Sequence, residues 1–461
     1  MSLDRETLAS VRFGYGLNPR RRGPRDAADL LAGLEEGARA GLLVSSLGYQ
    51  QRADQVIEAG RASREMRQAA KRAGRDVSKA ERKKLKEANS KVARELRRED
   101  VRNLLTQRVN GDGMFERLCS FWADNFTVGA GKPGFRRVIP AYEYHVIRPR
   151  IMGSFREMLH AVVQNPSMLI YLDQANSIGP KSLKGRRSKK GLNENLAREL
   201  LELHTLGVSG PYTQEDVRQL ALLLTGFTID RETGKHRFDR DMAEPGYKHI
   251  LGKSYGGPRP LPRHVFAFLD DLARHPATAE HLARKLATHF ISDTPPEDLV
   301  RHIAAAYRES DGYLPAVYAA MLEHPGAWEG PLGKVKQPVD YVVAILRATG
   351  QDPMSFDDKV TDRLYDWMRK QNQPLWAPSG PDGWPEGANH WITSPSLSGR
   401  FQLAARVAQQ LARRLELDPR VFARETLGSS LQPVTEFAVG AAETREDGFA
   451  LVFASPEFNR R

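Results

Sequence analysis

The chain has 461 residues, 40% hydrophobic and 27% charged, with a formal net charge of +12. That is ample for a large core and for one to three domains. One cysteine, Cys119 in the apolar context LCSFW, excludes a disulfide framework within the chain and reads as a structural thiol. No segment approaches the roughly 20 apolar residues of a membrane span.

The N-terminal MSLDRETLASVRFGYG lacks a basic-then-apolar secretion signal. As it stands the sequence implies a cytoplasmic protein, or a periplasmic one if an export signal has been removed. The charge is local: residues 1–110 hold 25 Lys and Arg against 15 Asp and Glu, a surplus of ten. Much of it lies in the proline-free run REMRQAAKRAGRDVSKAERKKLKEANSKVARELRRED. Met66, Ala70, Ala73, Val77 and Ala80, then Leu85, Ala88, Val92 and Leu96, recur at three-four spacing. We expect a basic helical arm over 50–110, packed by one thin apolar seam. Few aromatics interleave it, so nucleic-acid binding is not expected.

A second basic run, KSLKGRRSKKG from Lys181 to Gly191, has glycines, serines and no apolar period, and reads as a mobile loop. It leads into NENLARELLELHTLG, Asn193 to Gly207. At about 100° per residue, Asn195, Glu199 and Glu202 share one face, with Arg198 at its edge. Leu196, Leu200 and Leu203 take the other face, and His204 projects among them. Glu194 and Arg198 stand four apart in the favourable order. Like charges at Glu199 and Glu202 require a nearby cation. The helix has no lysine, so an arginine from another helix is expected to supply it, with the face at least half buried. Candidates are Arg156, Arg218, Arg284, Lys285 and the basic loop. Glu202 and His204 are two apart and Glu199 and His204 five apart, so this helix has no Glu-x-x-His pattern, and no His-Glu-x-x-His occurs in the chain.

Downstream, TQEDVRQLALLLTGF opens with Thr213 and Asp216 in an acidic capping box. GVSGPY before it turns the two helices into a hairpin. TIDRETGKHRF and KHILGKSY are strand candidates, with a small β-hairpin around Glu232 to Gly234. HPATAEHLARKLATHF, SDGYLPAVYAAMLEHP, KQPVDYVVAILRATG and SLSGRFQLAARVAQQLARRLEL read as amphipathic helices. Leu282, Leu286 and Phe290 point inward in the first of them. His275 and His324 precede prolines and mark helix ends. His281, Lys285 and His289 lie on one flank, too few for a metal without ligands from elsewhere. Trp376, Trp384 and Trp391 lie among prolines in QNQPLWAPSGPDGWPEGANHW. They either stack against a ligand or pin an irregular loop to the core. There is no phosphate-binding glycine loop and no Gly-x-Ser-x-Gly elbow, which disfavours nucleotide-dependent phosphoryl transfer and serine hydrolysis.

GLNENLARELLELHTLGVSGPYTQEDV resembles the signature of the bacterial domain-of-unknown-function family 1800. FERLCSFWADNF, GSFREMLHAVVQNPSMLIYLD, HPATAEHLARKLATHF, GKVKQPVDYVVAILRATG, DGWPEGANHWITSPSLSGR and FASPEFNRR resemble its other blocks, in order. The resemblance implies one mainly α module, an irregular multi-helix bundle. It also implies an envelope-associated process with a sulfatase-like protein as a possible partner. Many members carry Phe-Trp-His-Asn-His-Phe, where this chain has Ala123, Asp124 and Asn125 between Trp122 and Phe126.

Two functions remain open. The first is a non-catalytic scaffold or binding protein, with Asn193 capping, Arg198 and the glutamates tying helices together, and His204 in a buried hydrogen bond. The second is a metal-dependent, hydrolase-like enzyme. There Glu199, Glu202, His204 and Arg198 are the catalytic candidates, and Asp124, Asn125 and Asn195 could ligate Mg²⁺ or Ca²⁺. No cofactor is specified by the sequence. Trp376, Trp384 and Trp391 are the ligand-binding candidates.

Overall fold

The computed structural model describes residues 3–44, 47–129, 137–187, 191–414 and 416–461. The protein is mainly helical, with two antiparallel two-stranded sheets among the described residues. In β1 (Phe227–Ile229) and β2 (His236–Phe238), Phe227 pairs with Phe238 and Ile229 with His236. Asp230 makes the turn by accepting from the Glu232 and Thr233 N–H groups. KHILGKSY forms a second hairpin, β3 (Gly246–Ile250) with β4 (Lys253–Gly257).

The run expected to be an arm falls on two helices, Tyr49–Arg72 and Lys79–Asn110. Ser78 caps the second in a box with Glu81, and Arg75 clamps Glu81 across the turn. The distal part is thinly packed: between Arg72 and Leu96 no described side chain is buried. Burial begins at Leu96, and Val101, Leu104, Leu105 and Val109 enter a cluster with Val339, Val342 and Leu346 of the Pro338–Thr349 helix. Arg52 and Asp100, both buried, join the two helices at 2.6 Å.

The largest core gathers around the aromatic helix, Gly113–Asn125. Asp112 caps it, and Phe115, Leu118, Phe121 and Trp122 are buried. The histidine helix, Pro276–Phe290, packs into the same core through Leu282, Leu286 and Phe290. His275 and His324 each cap the turn that follows them. A separate cluster of Phe422, Phe449, Phe453 and Phe458 packs the last helices against Tyr341. The final residues lie beside 334–335, with Lys334 and Arg461 exchanging backbone hydrogen bonds.

The basic run at 181–191 departs from a loose loop over its first part. Gly185–Arg187 is a turn of 3₁₀ helix, and Lys184 binds Asp239 and the Asp241 carbonyl. Residues 188–190 of that run, and Leu415 of the later helix, lie outside the described residues. No described helix is long and apolar enough to cross a membrane.

Candidate functional site

The signature begins as an α-helix, Asn195–Glu199, and continues as a π-helix, Leu200–Thr205. Thr205 Oγ and the Leu206 N–H reach carbonyls five residues back, those of Leu200 and Leu201. His204 lies in this segment and is fully buried, as its place among the leucines of the wheel implied. Its Nδ1 lies 2.6 Å from the Asn125 carbonyl oxygen. That oxygen can only accept, so Nδ1 carries a proton. Burial, with the Lys285 charge nearby, pulls the imidazole down to about 3.

The acidic face is partly buried but its cation is not the expected one. Arg198, from the same helix, pairs with Glu202 at 3.2 Å and with Glu194 at 3.5 Å. Both its terminal nitrogens also reach the Gln214 oxygen of the capping-box helix, Gln214–Leu224. The expected interhelical arginine is therefore replaced by an interhelical glutamine. Among the described residues Glu199 makes no ion pair, and burial beside Glu202 raises its carboxyl. Of the other candidates, Arg284 is held by Glu297 and Lys285 by Asn125.

The proposed oxygen ligands do not converge. Asn195 is exposed at the start of its helix, its N–H bound to the Asn193 side chain. Asn125 accepts the Lys285 ammonium at 2.6 Å, so a lysine fills the place where a cation was expected. Asp124 accepts the Trp384 N–H at 2.7 Å. Burial raises the Asp124 carboxyl, against the pull of that N–H and of Lys285. Gly383 lets this contact form: its φ is +80°, and a Cβ there would lie 2.4 Å from the Asp124 carboxylate. Among the described residues no group of three His, Cys, Asp or Glu side chains is placed to hold a metal ion. The flank histidines diverge, His281 to the Leu203 carbonyl and His289 to Glu386.

The tryptophans divide. Trp391 is 2% exposed and donates to the Pro385 carbonyl, so it pins the loop. Trp384 and Trp376 line a cavity of about 80 Å³. Its walls come from the Lys79–Asn110 and aromatic helices, the turn at 139–143, the 371–386 loop and the C-terminus. Ala123, where the family motif has a histidine, faces it.

Sequence reasoning missed most of this cavity. Glu143 sits in a five-residue π segment, Glu143–Ile147, within the apolar run IPAYEYHVI. Its carboxylate accepts from Trp376 Nε1 at 3.3 Å. Burial raises it to about 7, although Arg108 draws it down. Glu386 has three cationic or donor neighbours: His289, Lys334 and Arg461. Burial works against it, but those neighbours hold its carboxyl below the usual range. Arg461 also pairs with Asp340 at 3.0 Å. An acid isolated in an aromatic run was the available signal for Glu143. Glu386 and Arg461 gave none, because their partners lie far away in sequence.

Fold and site define a mainly helical protein with an internal charged cavity and a signature helix packed into the core beside it. The family described as "Protein of unknown function (DUF1800)" matches residues 10–460, and the chain belongs to that family. No curated protein and no solved structure matches it.

Proposed function

We propose that the chain is a non-catalytic helical scaffold or binding protein of a bacterial envelope-associated process. The observation that carries this reading is His204: the one imidazole of the signature is fully buried and bound to the end of the aromatic helix. A ring held neutral in the core by burial serves packing rather than proton transfer to a substrate. Arg198 supports the same reading, because it ties Glu202 and Glu194 to Gln214 of the next helix. The partner that the family resemblance implies, a sulfatase-like protein, belongs to this proposal, as does the envelope setting.

The test is elemental analysis of purified protein beside Glu199→Gln and Glu202→Gln. The expected result is no stoichiometric metal that either substitution removes. A bound divalent cation lost from both variants, with stability unchanged, would instead establish a metal site on this face and favour the metal-dependent enzyme.

A further inference from the structure

Among the charged groups lining the cavity, one stands apart. Arg117 donates to the Arg12 and His289 carbonyls, Arg461 is paired with Asp340 and Glu386, and Asp124 accepts from Trp384. The partly buried Arg108 guanidinium has no hydrogen bond or ion pair among the described residues. Leaving a guanidinium without a partner in a partly buried site is costly unless water or a ligand satisfies it. Glu143 also lines the cavity, near enough to feel the Arg108 charge, and among the described residues Trp376 is the one hydrogen-bond partner of its carboxylate. Two local features mark this wall as specialised. Glu143 begins a π-helix, a winding frequent at functional sites. Trp376 adopts a φ of +58°, a left-handed conformation that costs a bulky residue energy.

We propose that this cavity binds a small carboxylate, gripped by the Arg108 guanidinium and facing the Glu143 carboxyl and the Trp376 indole. The proposal stands apart from the scaffold reading, because it does not use the signature helix. A guanidinium presents a planar pair of donors that matches the two oxygens of a carboxylate. Charge selects the monoanion. Among the described residues one unpaired cation lines the cavity and balances one negative charge, whereas a phosphate dianion would bring a second charge toward Glu143 and Asp340. A metal cation would meet Arg108 and Arg117 instead. Size agrees: at roughly 10–15 Å³ for each water, 80 Å³ holds about five to eight waters, or an acid of a few heavy atoms. In its protonated form Glu143 donates to a ligand oxygen, and once ionised it repels the ligand. Other ionisable groups around Glu143 are Arg108 and Asp100 of one helix, Cys119 of the aromatic helix, and Tyr142 and Tyr144 beside it. The two tyrosines and the cysteine are all raised, so they stay neutral through this range.

Calorimetric titration of the full chain with propionate, inorganic phosphate and propylammonium tests this. Propionate is expected to bind saturably near pH 6. Arg108→Gln should weaken it about tenfold or more, with the melting temperature kept. Wild-type affinity should fall as pH rises past about 7, while Glu143→Gln should lose that dependence. If Arg108→Gln does not fold, the anomalous signal of 3-bromopropionate in wild-type crystals decides: bromine in the cavity supports the proposal, and bromine only elsewhere overturns it. No saturable propionate binding, tighter binding of phosphate or propylammonium, or full affinity in a folded Arg108→Gln would each overturn it.

Discussion

At the scale of single residues, environment overrides the ordinary chemistry of a side chain. Glu143 shows how the balance runs. Its carboxyl stands at about 7 in the folded protein because burial outweighs the attraction of Arg108. An unfolded glutamate titrates near 4.3, so between these values the folded chain keeps a proton that the unfolded chain has released. The contribution to stability is present below about pH 4 and is lost as pH rises through 7. Glu143→Gln removes this titration while keeping an acceptor for Trp376. Its stability relative to wild type should therefore rise from about pH 4 to pH 7, by about 1–3 kcal/mol in total. Urea unfolding across that range is the check, and a flat difference would show that Glu143 titrates normally. By contrast Glu199→Gln at pH 7 should change stability by less than about 0.5 kcal/mol, since Glu199 is partly exposed and forms no ion pair among the described residues.

At the scale of elements, the helices were legible in the sequence and their windings were not. Period and caps placed the capping-box and histidine helices, because a buried apolar face repeats visibly and a cap is local. The same applies to His204, whose place among leucines follows from the wheel. The π segments at Glu143 and Leu200 could not be read, since a register change of one residue leaves no local mark. The expected interhelical arginine is absent among the described residues because Arg198 of the same helix reaches Glu202 and Glu194, while Arg284 is held by Glu297. The two helices of residues 49–110 show a further contrast between pattern and packing. The seam at Leu85 has the right spacing but stays partly exposed, whereas Leu105 is fully buried. Leu105→Ala should cost about 2–5 kcal/mol and Leu85→Ala less than about 1. Equal losses would mean that the distal part is packed as firmly as the proximal part. Where the two helices meet, Asp100→Ala would leave Arg52 buried without its carboxylate, at a cost of about 3–5 kcal/mol.

At the scale of the whole molecule, the cavity is assembled from segments hundreds of residues apart. Arg108, Glu143, Trp376 and Arg461 meet only after the chain has closed on itself, and no spacing rule links them. This is why the signature, being local, was found first and the cavity was not. The two proposals together divide the labour: the signature would hold helices together and the cavity would bind a ligand. The division rests on His204, which joins the signature to the end of the aromatic helix that forms one cavity wall. Equilibrium urea unfolding of His204→Ala tests it most directly. The substitution removes a fully buried ring and its 2.6 Å hydrogen bond, so the account predicts a loss of about 2–4 kcal/mol. Stability within about 0.5 kcal/mol of wild type would contradict the structural role of the signature and return its histidine to the search for a reactive group.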